Sequence, residues 1–380
     1  MSNKQLIIRT AFGVGIAVII LFLMGFGWWL YQRYSSVVVK ARTPGEIIRL
    51  INATPTPTPD PLAPYSVLLL GYGGPQHEGG YLTDTMIVAH IAPREKTVTL
   101  IALPRDLWVS LPLSADDGEV FYKINAAYAF GLDQRQYQDR PIQFTGAAGG
   151  GELAKHAAEY VTGLPVRYFI ALSFDGFIKS IDVLDGVEVV VPHTFDDYYY
   201  PIEAEKDNVC GKSEEELVEL TATLSGVLLE QEFHCRYEHV HFDRGKTYMN
   251  GETALKFVRS RKSDAYGGDY NRSIRQQALL QAVKDKIIRI NFIPKVIPFI
   301  NSLTADMQTD IDVKTIASIL QTHPAPGEFT MHTVTVTEET VLATGVSNDG
   351  QYILEPKDSW ESVHRFISDG IASASAKKAD

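Results

Sequence analysis

No charged residue interrupts Ala11–Tyr31, which reads AFGVGIAVIILFLMGFGWWLY. An apolar helix of about 20 residues crosses the hydrocarbon core of a bilayer. A buried core helix is seldom so long and so uniformly apolar, so the run is expected to be a transmembrane anchor. Trp28, Trp29 and Tyr31 stand at its C-terminal end, where amphipathic rings favour the membrane–water interface. A cleavable signal peptide has a shorter apolar core and a small-residue cleavage site, and neither is present. Lys4 and Arg9 precede the run while Arg33, Lys40 and Arg42 follow it, so basic asymmetry sets no orientation. The short leading tail and the long following domain do. Residues 1–10 are expected in the cytoplasm, 11–31 in the membrane and the rest outside the cell. Ala53–Pro61 reads ATPTPTPDP. Alternating prolines make a semi-rigid polyproline stretch, so 32–63 is read as a stalk. The globular domain is expected over 64–370, with a flexible tail at 371–380.

The formal net charge is −11. Nucleic-acid binding domains are usually basic, so this balance argues against such a partner. It leaves room for a basic pocket inside an acidic protein. The two cysteines, Cys210 and Cys235, would be in an oxidising space if the domain is extracytoplasmic, where they could pair. Free thiols are the alternative, as is a metal site with His234, His239 or His241. The spacing matches no standard zinc pattern.

Short apolar runs predict strands at Tyr65–Leu70, Thr85–Ile91 and Thr97–Leu103, with a hairpin turn at Pro93–Lys96. Helical spacing follows at Gly151–Thr162, Phe174–Leu184 and Glu252–Val258, and over a long helix from Asn271 to Ile290. Tyr168–Leu172 and Val187–Val191 read as strands. After Pro294 a helix pair is expected, then a hairpin of Phe329–Val336 with Val341–Gly345, and a last helix at Trp360–Ile367. This alternation predicts an α/β layered domain. Residues 197–243 break the pattern with a Tyr run (Tyr198–Tyr200), an acidic stretch (Glu214–Glu216) and both cysteines, and are read as an insertion.

Four segments carry polar residues suited to chemistry: Leu70-Gly71-Tyr72-Gly73-Gly74, Leu82-Thr83-Asp84-Thr85, Leu103-Pro104-Arg105-Asp106, and a long stretch from Asn250 through Arg259-Ser260-Arg261 to Arg272 and Gln276. If Phe257–Arg261 is extended, Arg259 and Arg261 leave the same face. Arg272 and Gln276 share one face of the long helix, near an N-terminus that favours anions. Arg105 follows a strand, at the end where α/β sheets bind ligands. The planar guanidinium fork bonds two phosphate oxygens at once, so convergent arginines would hold a multiply charged anion the size of a pyrophosphate. Solvated surface ion pairs are the alternative. Gly149-Gly150-Gly151 precedes a helix, yet no Walker lysine follows it.

The order LLLGYGG, LTDT, LPRDLWV, YKINAAYAFG, NGETALKFVRSRK and GGDYNRSIRQQ resembles the LytR-CpsA-Psr family. The middle section FIALSFDGFIKSIDVLDGVEVVVP fits it too. The resemblance implies a three-layer α/β/α domain with a mixed central sheet that binds a polyprenyl pyrophosphate, its tail in an apolar pocket. It implies a phosphotransferase that moves a glycopolymer phosphate from that carrier to peptidoglycan, with Mg2+. By match, Arg105, Arg259, Arg261 and Arg272 would hold the phosphates, with Gln276 and Lys123 as further contacts. Asp84 would be a metal ligand, and Asp106 would orient Arg105 or act as a base. Gly73 stands where many members have an aspartate, and Leu82 where many have an arginine. The first weakens the case for Mg2+, although His77 and Glu78 lie in the same loop. A polyprenyl pyrophosphatase and a non-catalytic lipid- or wall-binding regulator are the alternative functions.

Overall fold

The computed structural model describes residues 60–75, 77, 79–114, 120–225, 227–289, 299, 303 and 306–376. The anchor run Ala11–Tyr31, most of the stalk, Glu78 and the first helix expected after Pro294 lie outside the described residues.

Strands β1 (Tyr65–Tyr72), β2 (Thr83–Ala92) and β3 (Thr97–Ala102) form an antiparallel meander. Lys96, at φ +53°, closes the β2–β3 turn by donating its N–H to the Pro93 carbonyl. A small hairpin, β4 (Trp108–Leu111) with β5 (Val120–Lys123), leads to α1 (Ala126–Leu132) and α2 (Gly149–Thr162). Gly163 ends α2 in the left-handed region, at φ +67°, as helix C-termini often require. β6 (Val166–Ser173) then pairs parallel to β1. The main sheet is completed by β11 (Met307–Thr309) on one edge and β12 (Thr330–Thr335) on the other, in the order β11-β6-β1-β2-β3-β12. The β6–β1 and β3–β12 pairs are parallel and the others antiparallel, so the sheet is mixed.

Both faces of this sheet are covered. On one, Leu68, Leu70, Val88 and Ile101 pack with Leu153, Ala157 and Val161 of α2 and with Val363 and Ile367 of α9 (Trp360–Ala376). On the other, Ile87, Ala89 and Leu100 meet Leu280 of α7 (Gly268–Arg289). A second core lies beyond α7. It joins α3 (Phe174–Val183), β7 (Val187–Val191), β8 (Phe195–Pro201), β9 (Tyr237–Phe242), β10 (Gly245–Met249) and α6 (Gly251–Arg259).

Local chemistry sets the helix starts. Ser173 caps α3 by accepting from Gly176 N at 3.1 Å, and Asn250 caps α6 by accepting from Thr253 N at 2.9 Å. A Cβ on Gly251 would meet the Ile178 carbonyl at 2.3 Å, so α6 sits against α3 only with glycine there. The Asn250-Gly251 motif is thus a structural joint.

Several expectations change. Residues 197–243 are not wholly an insertion, because β8 and β9 pair with each other and bury Tyr200, Val240 and Phe242. The excursion proper runs between them through α4 (Glu214–Thr223) and α5 (Val227–Gln231), and Cys210 and Cys235 form a disulfide there. The expected hairpin of Phe329–Val336 with Val341–Gly345 does not form. β12 pairs parallel to β3, while β13 (Leu342–Val346) pairs with β14 (Tyr352–Pro356). The helix α8 (Val313–Thr322) precedes them. The final helix continues to Ala376 with Ala374 buried, so the segment from 371 is structured over most of its length. Gly149–Gly151 are helical and buried. A Cβ on Gly151 would strike the Phe169 ring at 2.1 Å, so close packing explains them without a phosphate.

Candidate active site

The carboxyl end of β3, the start of β2, and the α6–α7 turn converge on one cleft of about 800 Å³. Asp84, Arg105, Arg259, Arg261 and Arg272 all line it, although 188 positions separate the outermost pair (272 − 84 = 188). Lys262 adds a further cation, while Asp197 and Glu230 are the other carboxylates on the wall. The cleft is therefore basic in a chain that is acidic overall.

Arg105 is held in place by two carboxylates. Its Nη1 donates to Asp84 Oδ1 at 2.6 Å, and its Nε lies 3.6 Å from Asp106 Oδ2. Asp106 does not line the cleft. It sits behind Arg105, largely buried, and accepts from Lys123 Nζ at 2.7 Å. Lys123 accordingly faces Asp106 rather than the cleft, so its place is one step removed from an anion there.

Arg259 is not on a strand. It is the last residue of α6, and only the residues after it are extended. Its guanidinium lies over the Phe174 ring at 4.1 Å and 5.7 Å from the Tyr200 ring centre, and donates to the Tyr200 hydroxyl at 3.4 Å. Aromatic faces of this kind attract cations and hold the head group still. Burial pushes the Tyr200 hydroxyl pKa up, an effect that Arg259 opposes. Arg272 and Gln276 lie one turn apart on α7 and are both buried. Gln276 Nε2 donates to Thr85 Oγ1 at 3.2 Å, beside the cleft rather than on its wall.

Asp197 and Arg275, which the motifs did not single out, organise the arginine turn. Asp197 is 1 % exposed. Its Oδ2 accepts from Ser260 Oγ at 2.6 Å, Arg261 N at 3.0 Å and Lys262 N at 3.1 Å, and its Oδ1 from Tyr199 N at 3.0 Å. Arg275, 2 % exposed, donates to the carbonyls of Ser260 and Tyr266 and lies over the Phe195 ring at 4.6 Å. Burial lowers its pKa to about 10, Asp197 opposes that shift and Arg272 adds to it. The turn that presents Arg261 is thus clamped from two sides. Only the Arg-rich pattern around Ser260 hinted at this, since Asp197 is remote in sequence. Tyr199, Tyr200 and Tyr237 form an aromatic wall that was visible before only as a Tyr run.

Directly behind the arginines lies an apolar cavity of about 200 Å³, lined by Leu69, Ile87, Ile170, Leu172, Phe177, Leu255, Leu279 and Leu280 among others. Thr85, Val258 and Arg259 line both this cavity and the cleft, so the two adjoin. The greasy space lies between the sheet and α6–α7.

The two family departures have local consequences. A Cβ on Gly73 would meet His77 Cβ at 2.7 Å, so a larger residue fits only if His77 moves. Leu82 reaches the cleft as a partly exposed apolar side chain, so no cation stands there. Among the described carboxylates of the cleft, Asp197 is taken up by the turn and Glu230 pairs with Lys262 at 2.6 Å. Asp84 is likewise engaged, accepting from Arg105 through Oδ1, so an ion there would have to share this carboxylate with the arginine.

Comparison with known proteins bears on this geometry. The chain is 26% identical over 362 residues to the polyisoprenyl-teichoic acid–peptidoglycan teichoic acid transferase TagU of Enterococcus faecalis, covering 92% of each. It is 26% identical over 253 residues to TagV of Bacillus subtilis, a transferase of the same description, covering 66% of this chain and spanning half of that relative's length. The Streptococcus mutans biofilm regulatory protein A is also 26% identical, over 258 residues that cover 66% of this chain and 50% of that one. The crystal structure of B. subtilis TagV matches with a TM-score of 0.52 at 22% identity, over 82% of this chain and 98% of that one. TagT bound to LIIa-WTA matches with a TM-score of 0.51 at 19% identity, over 82% of this chain and 93% of that one. These structural likenesses establish a shared α/β fold. The model of the LytR_cpsA_psr family matches residues 52–364, and the chain belongs to that family.

Proposed function

We propose that this protein is a phosphotransferase that moves a glycopolymer phosphate from a polyprenyl-pyrophosphate carrier to peptidoglycan. The observation that carries the reading is the adjacency of the arginine-lined cleft and the apolar cavity, which share Thr85, Val258 and Arg259. A substrate with a doubly phosphorylated head and a hydrocarbon tail presents those two chemistries at one junction. Arg259 sits where head meets tail.

In this mechanism an acceptor sugar hydroxyl attacks the phosphorus attached to the glycan. The new bond joins acceptor oxygen to that phosphorus, and the bridging P–O bond breaks. Polyprenyl phosphate leaves with the bonding electron pair, and the hydroxyl proton passes to solvent through the open side of the cleft. Arg105, Arg261 and Arg272 neutralise charge that grows on the leaving phosphate. Such transfers depend mainly on positioning and electrostatics. Asp106 and Lys123 act as positioning residues through Arg105. Asp84, shared with Arg105, would hold Mg2+, an ion usually bound through one or two carboxylates and substrate phosphates while keeping several waters. That ion would supply further charge neutralisation.

The relatives named as teichoic acid transferases support the reaction class. The same reading anchors the chain in the cell membrane through Ala11–Tyr31 with the catalytic domain outside, and the Cys210–Cys235 disulfide fits an oxidising compartment.

The test is a reconstituted reaction with lipid-linked glycan pyrophosphate, peptidoglycan and Mg2+. Glycan appearing on peptidoglycan with stoichiometric polyprenyl phosphate supports the proposal. Released inorganic phosphate or free glycan phosphate, without attachment, would mean hydrolysis instead. Binding without turnover would mean a regulator.

A further inference from the structure

Away from the cleft, the outer face of the β8–β9 hairpin brings together Asp196, His239 and His241. Asp196 is the register partner of His241, and His239 lies two residues along the same strand. Strand alternation therefore sends all three side chains outward while Phe195, Val240 and Phe242 point into the second core. His239 Nε2 lies 2.7 Å and His241 Nδ1 2.8 Å from the same oxygen, Asp196 Oδ1. Their ligand atoms all fall within 4.8 Å of one another.

A hydrogen-bonded trio at the surface is the simpler account, and such exposed contacts contribute little to stability. Two further contacts go beyond it. The Tyr198 ring stacks flat on His239 at 4.2 Å, which fixes the plane of that imidazole. Asp243 Oδ1 lies 3.4 Å from His241 Nε2, the nitrogen that faces away from Asp196. A carboxylate behind the outer nitrogen is the usual support of a metal-bound histidine.

We propose that Asp196, His239 and His241 bind one divalent ion of the zinc class, which clips β8 to β9. Two imidazole nitrogens with one carboxylate oxygen suit Zn2+, Ni2+ or Cu2+ rather than Mg2+, which prefers oxygen alone. Three protein ligands leave the fourth tetrahedral position to water. The standard zinc spacings miss the site because its third ligand comes from a strand 43 residues away. The cysteines take no part, being joined to each other. The consequence reaches the active site through the same two strands. Tyr199, Tyr200 and Tyr237 on β8 and β9 form the aromatic wall of the cleft, and Asp197 clamps the Arg261 turn. An ion that fastens the hairpin stiffens that wall. The site stands whether or not the cleft performs the proposed transfer.

The test uses full-length protein in detergent, stripped with a chelator and titrated with ZnCl2 in the presence of Mg2+. One equivalent should bind, and the His239→Ala/His241→Ala variant should bind it at least about tenfold more weakly. Both rings are exposed, so that variant's unfolding without zinc should match wild type. Zinc should also slow amide exchange across 195–201 and 237–242 in the wild type alone. Absence of binding, or equal binding by the double variant, overturns the site. Binding with unchanged exchange in the hairpin overturns the clip.

Discussion

Asp197→Asn should cost both stability and turnover, although Asp197 lies outside every catalytic motif in the sequence. The substitution keeps the volume but removes the charge and turns one acceptor into a donor. Four donors now converge on the carboxylate: Ser260 Oγ and the amides of Tyr199, Arg261 and Lys262. The amide group of asparagine must face at least one of them with N–H against N–H. Hydrogen bonds to a charged acceptor contribute about 1.5–3 kcal/mol and neutral ones about 1 kcal/mol. The buried Arg275 guanidinium, which bonds the Ser260 and Tyr266 carbonyls rather than Asp197, also loses a nearby opposing charge, and one donor left unsatisfied costs about 1–3 kcal/mol. These contributions overlap, so the weakened bonds and the one unsatisfied donor together should cost about 3–5 kcal/mol. At about 2 °C per kcal/mol for a domain of this size, the melting temperature should fall by roughly 6–10 °C. A displacement of Arg261 by about 1 Å should lower turnover on the order of 100-fold at temperatures where the variant is folded. Calorimetry and the transfer assay measure the two effects separately. Adding Arg275→Met removes the stranded cation, so the double variant should regain about 1–3 kcal/mol relative to additivity. An Asp197→Asn protein within about 0.5 kcal/mol of wild type and fully active would refute the clamp.

Arg261→Ala and Arg272→Ala should each lower transfer by about 100- to 1000-fold, as loss of one charge-stabilising donor does, with circular dichroism unchanged. Leu280→Trp, which fills the apolar cavity, should raise KM for long-chain carriers and spare short-chain ones, as read from kinetics on both. Cys210→Ser should lower stability by about 3 kcal/mol, because a 25-residue separation is no longer closed in the unfolded chain, and chemical denaturation checks this. Lys123→Met should release Asp106 and lower kcat with little change in KM, a split expected of a positioning residue.

The strands β1, β2, β3 and β7 and the helices α2, α3, α6 and α7 were legible because their apolar runs and periodicities are strong. The convergence of Arg105 with Arg261 and Arg272 was anticipated from motif positions at the ends of elements. The route to it differed, since Arg259 closes a helix rather than lying on a strand. Long-range partners carry no local pattern. β12 was assigned to the wrong neighbour because its own residues do not tell a parallel partner, β3, from a hairpin partner. Asp197 looked like the start of an insertion because its four donors are set by tertiary contact, three of them more than sixty positions away. Lys123 looked like a phosphate contact because nothing in Lys-Ile-Asn reveals that Asp106 lies opposite it across a turn. The missing Walker lysine already argued against an anion loop at Gly149–Gly151, and the structure shows the three glycines as close-packing contacts.

The most direct measurement is mass spectrometry of lipid that co-purifies with the membrane-expressed protein, wild type beside Arg105→Ala/Arg272→Ala. The account predicts a polyprenyl chain ending in pyrophosphate, with or without its glycan, retained by the wild type and lost from the variant. Equal retention by both, or a bound lipid lacking phosphate, would contradict it.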